Sequence, residues 1–279
     1  MNEYSKKILR VPTVTFVREE DQGKQPVLDV RNLGIDFGGL TAVDGFNITI
    51  GPTEISGLIG PNGAGKTTIF NLLTGVYQPT RGSVLVNGID IKGMPVYKVN
   101  KLGIARTFQN IRLFTDMTVL DNVKVVPHNS MKCSFFSSVF RLPGYYKAEE
   151  QANVKAMELL DFMGLGEYAD AKAGSLPYGV QRRLEIVRAL ATDPSIILLD
   201  EPAAGMNPSE TTELMHQIRR IRDTFHVAIF LIEHDMNLVM NVCETIAVLN
   251  YGRLIAKGTP EEIRQNPTVI EAYLGKEDA

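Results

Sequence analysis

Three short runs of apolar residues dominate the hydrophobic pattern of the chain. They lie at residues 55–59, 196–199 and 227–232, and glycine or charged residues follow each of them. Apolar runs of this length are typical of parallel strands that are buried on both faces. Helical patterns follow at residues 66–74, where Gly75 ends the helix, and at residues 181–192. The pattern therefore predicts an α/β fold class with a parallel sheet.

The N-terminal part of the chain shows a different, alternating pattern. Residues 27–37 and 43–50 form two candidate strands, and residues 83–91 form a strand pair that turns at Asn87-Gly88. Antiparallel strands therefore precede and flank the predicted parallel sheet. The polar residues 1–26 before them form an N-terminal extension with no visible chemistry.

The middle of the chain is predicted to be helical, from about residue 119 to residue 176. Residues 147–163 carry apolar side chains at helical spacing, with charges between them. Aromatic residues crowd the stretch 128–146, and we interpret them as the packing of a small core, with a docking surface as the alternative. The order is thus α/β core, helical insertion, α/β core.

A glycine-rich loop directly follows the first apolar run and matches the pattern G-x-x-x-x-G-K-[ST] in full. Its residues, with the next one in the helix, are Gly60, Pro61, Asn62, Gly63, Ala64, Gly65, Lys66, Thr67 and Thr68. The glycines let backbone N–H groups cradle phosphates, Lys66 reaches the β- and γ-phosphates, and the Thr67 hydroxyl can ligate Mg²⁺. The strand before the loop and the helix after it argue against an accidental turn. The loop therefore predicts that the chain binds a nucleoside triphosphate.

Polar residues that can take part in catalysis or ligand binding follow the other two apolar runs. Asp200 and Glu201 end one run, and Glu233 and His234 follow the other. Ligands of open α/β sheets bind at the carboxyl ends of the strands, so Asp200 and Glu201 are expected to face the phosphates. Asp200 suits a site for Mg²⁺, Glu201 can polarise the attacking water, and His234 can donate to the γ-phosphate. With Lys66, Glu201 and His234 are the candidate catalytic residues.

Composition narrows the classes of function. Apolar residues make up 44% of the chain and charged residues 22%, which is ordinary for a globular protein, and the net charge of −3 gives no support to nucleic-acid binding. The two cysteines have neither metal spacing nor a disulfide pattern, which favours a reducing compartment. The sequence shows no secretory signal and no apolar run near the ~20 residues that cross a bilayer. Membrane association is therefore expected only through a partner.

Together these residues resemble the ATP-binding subunits of ABC transporters, from about residue 27 to residue 275. The most specific element is the stretch 175–183, which stands in the place of the family signature L-S-G-G-Q. In that family the signature of one subunit contacts the ATP of the other, so two ATP molecules clamp two subunits together. The residues implied in this contact are Leu176, Pro177, Tyr178, Gly179, Val180 and Gln181.

The resemblance implies roles for further residues. Gln109 corresponds to the loop glutamine that touches Mg²⁺ and faces the membrane subunit, and the implied metal site combines it with Thr67 and Asp200. Phe37 corresponds to the aromatic residue that stacks on adenine, with an edge-strand aromatic as the alternative. Val43 is expected to pack on the same base.

Two positions depart from the family pattern. Pro177 replaces the signature serine, and proline supplies neither a hydroxyl nor an N–H group. Asn207 stands where many members have aspartate, and it can still form hydrogen bonds across a dimer interface. Because Lys66, Asp200, Glu201 and His234 are all present, an active site is expected.

The resemblance also implies the fold and the domain boundaries. The expected fold is a P-loop NTPase with an ABC-type antiparallel β subdomain and an inserted α-helical subdomain. Residues 27–275 form the ATPase domain, in which 27–110 and 181–275 are the α/β core and about 111–180 the helical subdomain. Residues 276–279 form a tail.

Within the family, the stretches 178–186 and 202–208 look most like the ATPases of branched-chain amino acid importers. That resemblance implies two transmembrane permease subunits, a second and different ATPase chain, and indirectly a solute-binding protein outside the membrane. The chain would lie peripherally on the cytoplasmic face of the inner or plasma membrane. The alternatives are the ATPase of urea or amide uptake or of lipopolysaccharide export, although an exporter usually keeps the serine and the aspartate. A soluble ABC ATPase that acts on nucleic acid or ribosomes is a more distant alternative.

Overall fold

The computed structural model describes residue 21 and residues 23–126 and 143–274, without the side chains of residues 143–148 and 274. Its strands are β1 (Leu28–Phe37), β2 (Leu40–Ile50), β3 (Ile55–Ile59), β4 (Arg81–Val86), β5 (Ile89–Asp90), β6 (Ile104–Arg106), β7 (Ile196–Asp200), β8 (Ala228–Ile232), β9 (Thr245–Asn250) and β10 (Arg253–Gly258). Its α-helices are α1 (Lys66–Leu73), α2 (Val96–Lys101), α3 (Val119–Lys124), α4 (Pro143–Phe162), α5 (Tyr178–Leu190), α6 (Pro208–Phe225), α7 (Met236–Val242), α8 (Pro260–Arg264) and α9 (Pro267–Leu274).

The strands form two sheets, as the two kinds of hydrophobic pattern predict. The alternating segments build an antiparallel sheet in the order β2-β1-β4-β5. The apolar runs become β3, β7 and β8, which are parallel and lie inside the second sheet, in the order β10-β9-β3-β8-β7-β6. All five residues of each of these three strands are buried, which is why their sequences do not alternate.

The two faces of the parallel sheet bury different partners. Leu198 and Phe230 pack with the antiparallel sheet and with α1, whereas Ile197 and Leu231 pack with α5, α6 and α7. Successive side chains of a strand point to opposite faces, so each strand serves both cores. The carboxyl ends of β3, β7 and β8 therefore meet at one edge, between two packed layers.

The helical middle of the chain differs in detail from the prediction. Residues 119–176 contain α3, α4 and two short 3₁₀ turns at Gly166–Tyr168 and Ala173–Ser175. Helix α5 begins at Tyr178, three residues earlier than expected, because Pro177 takes the N-cap position with extended backbone angles. The aromatic stretch 128–146 lies outside the described residues except for the backbone of 143–146, and the domain boundaries stay predictions. None of the described helices combines the length and the apolar character that would let it cross a membrane.

Candidate active site

The glycine-rich loop forms a sharp connection between β3 and α1. Gly60 has a φ of 156°, and a Cβ atom there would lie 2.1 Å from the carbonyl oxygen of Leu249. Gly65 is the N-cap of α1 with a φ of 103°, and no side chain caps the helix. The first turn of α1 holds no acidic residue, so its N–H groups and its dipole are available to an anion. The loop thus has the form of a phosphate cradle.

Lys66 lies inside this cradle. Its ammonium group donates to the carbonyl oxygens of Gly60 at 2.6 Å and Pro61 at 3.1 Å. Burial lowers the pKa of the Lys66 ammonium, and the negative charges of Glu201 and Asp200 oppose that shift. The cation therefore lies within electrostatic reach of Asp200, the last residue of β7, and of Glu201, which follows it.

Glu201, Gln109 and His234 meet at the carboxyl edge of the parallel sheet. The Gln109 amide donates to Oε2 of Glu201 at 2.8 Å, and Nδ1 of the exposed His234 lies 3.9 Å from the same oxygen. Glu201 has a φ of 48°, a left-handed conformation that costs a non-glycine residue on the order of 1–3 kcal/mol. Its N–H donates to the carbonyl oxygen of Ile232 at 2.9 Å, which holds this conformation against the end of β8. Such strain marks Glu201 as a candidate functional group.

Asp200 has a buried partner that the sequence does not reveal. Nη2 of Arg106 lies 2.7 Å from Oδ2 of Asp200, and the two side chains are 7% and 5% exposed. Nη1 of Arg106 donates to the Asn71 side chain at 2.7 Å, and the guanidinium lies over the rings of Phe70 and Phe108. Arg106 at the end of β6 therefore orients Asp200 toward the loop.

Glu233 is, after Arg106, a second residue near the site whose role is not evident from the sequence. It is buried, and its carboxylate accepts from the N–H groups of Ala203 at 2.7 Å and His234 at 3.1 Å. Burial raises the pKa of Glu233, and these backbone donors oppose the shift. Glu233 therefore ties the loop after Glu201 to His234. The sequence feature that could have pointed to Glu233 is a carboxylate directly after an apolar strand.

The aromatic residue proposed for adenine lies at the end of β1. Phe37 is exposed, and its ring packs edge-on against Tyr77, with ring centroids 5.3 Å apart. Val43 is instead fully buried opposite Ile35 of β1. The Val43 side chain points into the core of the antiparallel sheet, and its contact with the base stays a prediction.

The signature segment runs into the first turn of α5. The Pro177 carbonyl accepts the N–H groups of Val180 and Gln181 at 3.0 Å each, and no side chain caps the helix. The N–H groups of Tyr178 and Gly179 in that turn therefore point out of the helix end, where an anion is favoured. In an alignment that puts Pro177 at the serine, Val180 takes the place of the signature glutamine. The sequence analysis missed this departure.

Several signature side chains face inward. Those of Leu176 and Val180 are buried in the core, and the Gln181 amide donates to the Leu176 carbonyl at 2.8 Å. Leu176 and Val180 can therefore offer a second subunit only their backbone. Asn207 caps α6, and its side chain accepts from the N–H groups of Ser209 and Glu210 at 3.0 Å each. Its oxygen is therefore used within the chain.

The residues implied for Mg²⁺ fit a cation that is held partly by phosphates. Thr67 is exposed in the first turn of α1, and the Asp200 carboxylate lies at the same sheet edge. No group of three or more His, Cys, Asp or Glu side chains that could hold a metal occurs in the described part of the chain. Mg²⁺ commonly takes only one or two carboxylates and completes its shell with substrate phosphates and water. The donor set is therefore suitable.

The fold and the site define a P-loop nucleotide-binding protein, with an antiparallel sheet beside the parallel one and a helical insertion. The ABC transporter family model matches residues 43–204, more than half of the chain, so the chain belongs to the ABC transporter family. The model of the branched-chain amino acid ATP-binding cassette transporter matches residues 253–279.

Individual relatives agree with this assignment. The chain is 47% identical to the high-affinity branched-chain amino acid transport ATP-binding protein BraF of Pseudomonas aeruginosa, over 252 residues that cover 90% of this chain and 99% of that protein. It is 48% identical to LivG of Escherichia coli, a protein described in the same words, with the same coverage. A crystal structure of an ATP-binding cassette of an ABC transporter in its ADP conformation matches with a TM-score of 0.78 and 31% identity, over 90% of this chain and 100% of that one.

Family membership confirms the predicted class and activity. The chain is an ATP-binding subunit and an ATPase that powers transport, with the P-loop fold expected from the sequence. Subunits of importers in this family work as dimers with membrane permeases.

Proposed function

We propose that the chain hydrolyses ATP to drive the uptake of branched-chain amino acids. The proposed ATP hydrolysis is supported by the position of Glu201 beside the phosphate cradle, where it lies close to Gln109 and His234. The substrate rests on the relatives BraF and LivG and on the match of residues 253–279. The chain itself contacts ATP, and the permease contacts the amino acid.

The phosphates of ATP bind the N–H groups of the glycine-rich loop and of the first turn of α1. Lys66 turns from the Gly60 and Pro61 carbonyls to the β- and γ-phosphates, since a charged phosphate is a stronger acceptor than a carbonyl. Adenine stacks on Phe37. Thr67, Asp200 and Gln109 would hold Mg²⁺, which would neutralise phosphate charge.

Hydrolysis depends on Glu201. Its carboxylate accepts a hydrogen bond from the attacking water and orients that water toward the γ-phosphate. His234 donates to the γ-phosphate, which its exposed position next to Glu201 allows. Lys66 stabilises the charge that develops on the leaving phosphate.

A second subunit completes the site. The free N–H groups of Tyr178 and Gly179 contact the γ-phosphate of the partner's ATP, and they replace the hydroxyl that Pro177 cannot supply. The other ATPase is a different chain. The signature departs from L-S-G-G-Q at Pro177, Tyr178 and Val180, which is compatible with a pair in which the two sites differ. ATP binding closes this dimer and hydrolysis reopens it.

The permease contacts a groove beside Gln109. This groove has a volume of about 550 Å³ and its lining includes Val76, Val96, Tyr97, Arg106 and Phe108. Val76, Val96 and Tyr97 are exposed, so the groove offers apolar surface to a helix of the permease. We infer that the chain lies on the cytoplasmic face of the membrane, because ATP is available there.

Affinity purification of the full chain from detergent-solubilised native membranes tests this assembly. We expect two long hydrophobic subunits and a second, different ATPase to copurify. Cells that lack the chain should lose uptake of radiolabelled leucine and keep uptake of an unrelated amino acid. Loss of urea uptake or of lipopolysaccharide assembly with normal leucine uptake would contradict the substrate. Recovery of ribosomes without membrane subunits would contradict the transport role itself.

A further inference from the structure

A buried ion pair lies one turn into the signature helix α5. Nη1 of Arg182 lies 3.0 Å from Oε2 of Glu185, and the two side chains are 3% and 6% exposed. A buried pair gains little stability over apolar residues of the same size, because both charges lose their water. The pair is therefore better explained by the backbone groups with which its two side chains form hydrogen bonds.

These groups belong to one loop, residues 108–112, which we call the glutamine loop. Nη1 of Arg182 donates to the Phe108 carbonyl at 2.5 Å, and Nη2 donates to the Gln109 carbonyl. Oε1 of Glu185 accepts the N–H of Arg112 at 2.9 Å. The pair thus fixes both ends of the loop, and the guanidinium fork bridges two neighbouring carbonyls as a single-point donor cannot.

The held loop carries the side chain that contacts the catalytic carboxylate. The backbone carbonyl of Gln109 is anchored by Arg182, and its amide donates to Oε2 of Glu201 at 2.8 Å. One residue therefore joins the buried pair to Glu201. A shift of this backbone by 1 Å would break the amide contact, since a hydrogen bond of 2.8 Å weakens strongly beyond about 3.5 Å.

The same arginine also contacts the start of the signature. Its guanidinium lies 5.5 Å from the ring centroid of Tyr178, and a Cβ atom on Gly205 would lie 3.1 Å from that ring. Gly205 belongs to the loop that follows Glu201. Tyr178 therefore lies between Arg182 and the loop that follows Glu201, and Arg182 contacts both the start of the signature and the glutamine loop.

We propose that Arg182 and Glu185 are positioning residues for hydrolysis. They hold the glutamine loop so that the Gln109 amide keeps Glu201 in place, and they make the signature start and Gln109 move together. This inference rests on the proposed role of Glu201. The inference adds two positioning residues to the site, and these act through Gln109 rather than by contact with ATP or the attacking water.

The test compares Arg182→Met with Arg222→Met in the full chain, within the complex with which it copurifies. Methionine keeps the length and the apolar packing of the side chain and removes the fork. Arg222 is a matched control, since it is 11% exposed and lies 2.7 Å from Glu244 without touching the glutamine loop. ATP binding is measured by equilibrium titration, and kcat and KM by phosphate release.

We expect Arg182→Met to lower kcat on the order of 10- to 100-fold, as small displacements of catalytic groups do. Its Kd for ATP should stay within about twofold, because the P-loop contacts do not involve α5. Arg222→Met should lose stability and keep its kcat. Hydrogen exchange at the Arg112 amide should be faster in Arg182→Met than in the control, and amides of the glycine-rich loop should exchange at the normal rate.

Glu185→Gln gives a second variant, in case an unpaired Glu185 prevents folding. It removes the buried negative charge and should lower kcat in the same direction as Arg182→Met. A normal kcat in either variant, or an equal loss of kcat in Arg222→Met, overturns the inference. Glu201→Gln separates this outcome from the proposed function. If Glu201→Gln is inactive and Arg182→Met is not impaired, only the positioning role fails. If Glu201→Gln hydrolyses ATP normally, the proposed catalytic mechanism fails.

Discussion

Replacement of Arg106 by methionine should strongly destabilise the protein. The substitution keeps a long apolar side chain between Phe70 and Phe108, but it removes the cation that lies 2.7 Å from Asp200. Both partners are more than nine-tenths buried, so water cannot replace the lost charge. Removal of one partner of a buried pair leaves the other charge uncompensated, which costs about 3–5 kcal/mol.

The loss should be visible in urea unfolding followed by circular dichroism at pH 7 without nucleotide. In thermal unfolding of a domain of this size, a loss of 1 kcal/mol lowers the Tm by roughly 2–4 °C, so the Tm should fall by roughly 6–20 °C. The double variant Arg106→Met/Asp200→Asn should recover much of the loss, because it also removes the buried negative charge. The slope of the free energy of unfolding against urea should stay constant if both states keep their compactness.

An exposed ion pair serves as the control. Arg253 lies 2.7 Å from Asp44, with side chains 68% and 37% exposed, so Arg253→Met should cost no more than about 1 kcal/mol. If Arg106→Met costs as little as Arg253→Met, or if the double variant is as unstable as the sum of its single variants, the interpretation of the buried pair is refuted.

Three further predictions concern structural features near the site. Asn207→Ala removes the cap of α6 and should cost about 1 kcal/mol of unfolding free energy, and an unchanged urea midpoint would contradict this. Gly57→Ala places a Cβ atom 2.9 Å from the sulfur of Cys243 and should cost about 1–3 kcal/mol of unfolding free energy. An unfolding temperature equal to that of the parent would contradict this. Burial raises the pKa of Glu54 above its ordinary 4.5, so its contribution to stability is present below pH 4.5 and is lost as the pH rises through the folded-state pKa. The stability of the parent relative to Glu54→Gln should therefore fall as the pH rises, and parallel pH profiles would exclude this effect.

The elements that depend on local pattern were predictable from the sequence. The apolar run 55–59 became β3 with the predicted bounds, and the run at 196–199 became β7 with one additional residue. The glycine-rich loop was predicted because its pattern is contiguous and each residue type has a physical reason. Glu201 and His234 follow strands, so the edge rule for α/β sheets applied to them. Gln109 was identified only through the resemblance to the family.

The residues that depend on tertiary partners were not predictable. Arg106 and Arg182 contact groups that lie more than 70 residues away in the chain, and no local pattern reveals such partners. The burial of Val43 opposite Ile35 was likewise not predictable, because the sequence does not reveal which face of the strand lies against the core. Pro177 explains the early start of α5 only once its backbone angles are known.

The central claim is that Glu201 is the carboxylate that activates water for ATP hydrolysis. Steady-state phosphate release by Glu201→Gln, together with its equilibrium binding of ATP, tests this claim most directly. Gln keeps the size and the hydrogen-bonding capacity of the side chain but lacks the basic carboxylate. We predict ATP binding with a normal Kd and a kcat lower by about 10²–10⁴-fold, the usual contribution of a general base. An undiminished turnover rate would contradict the assignment.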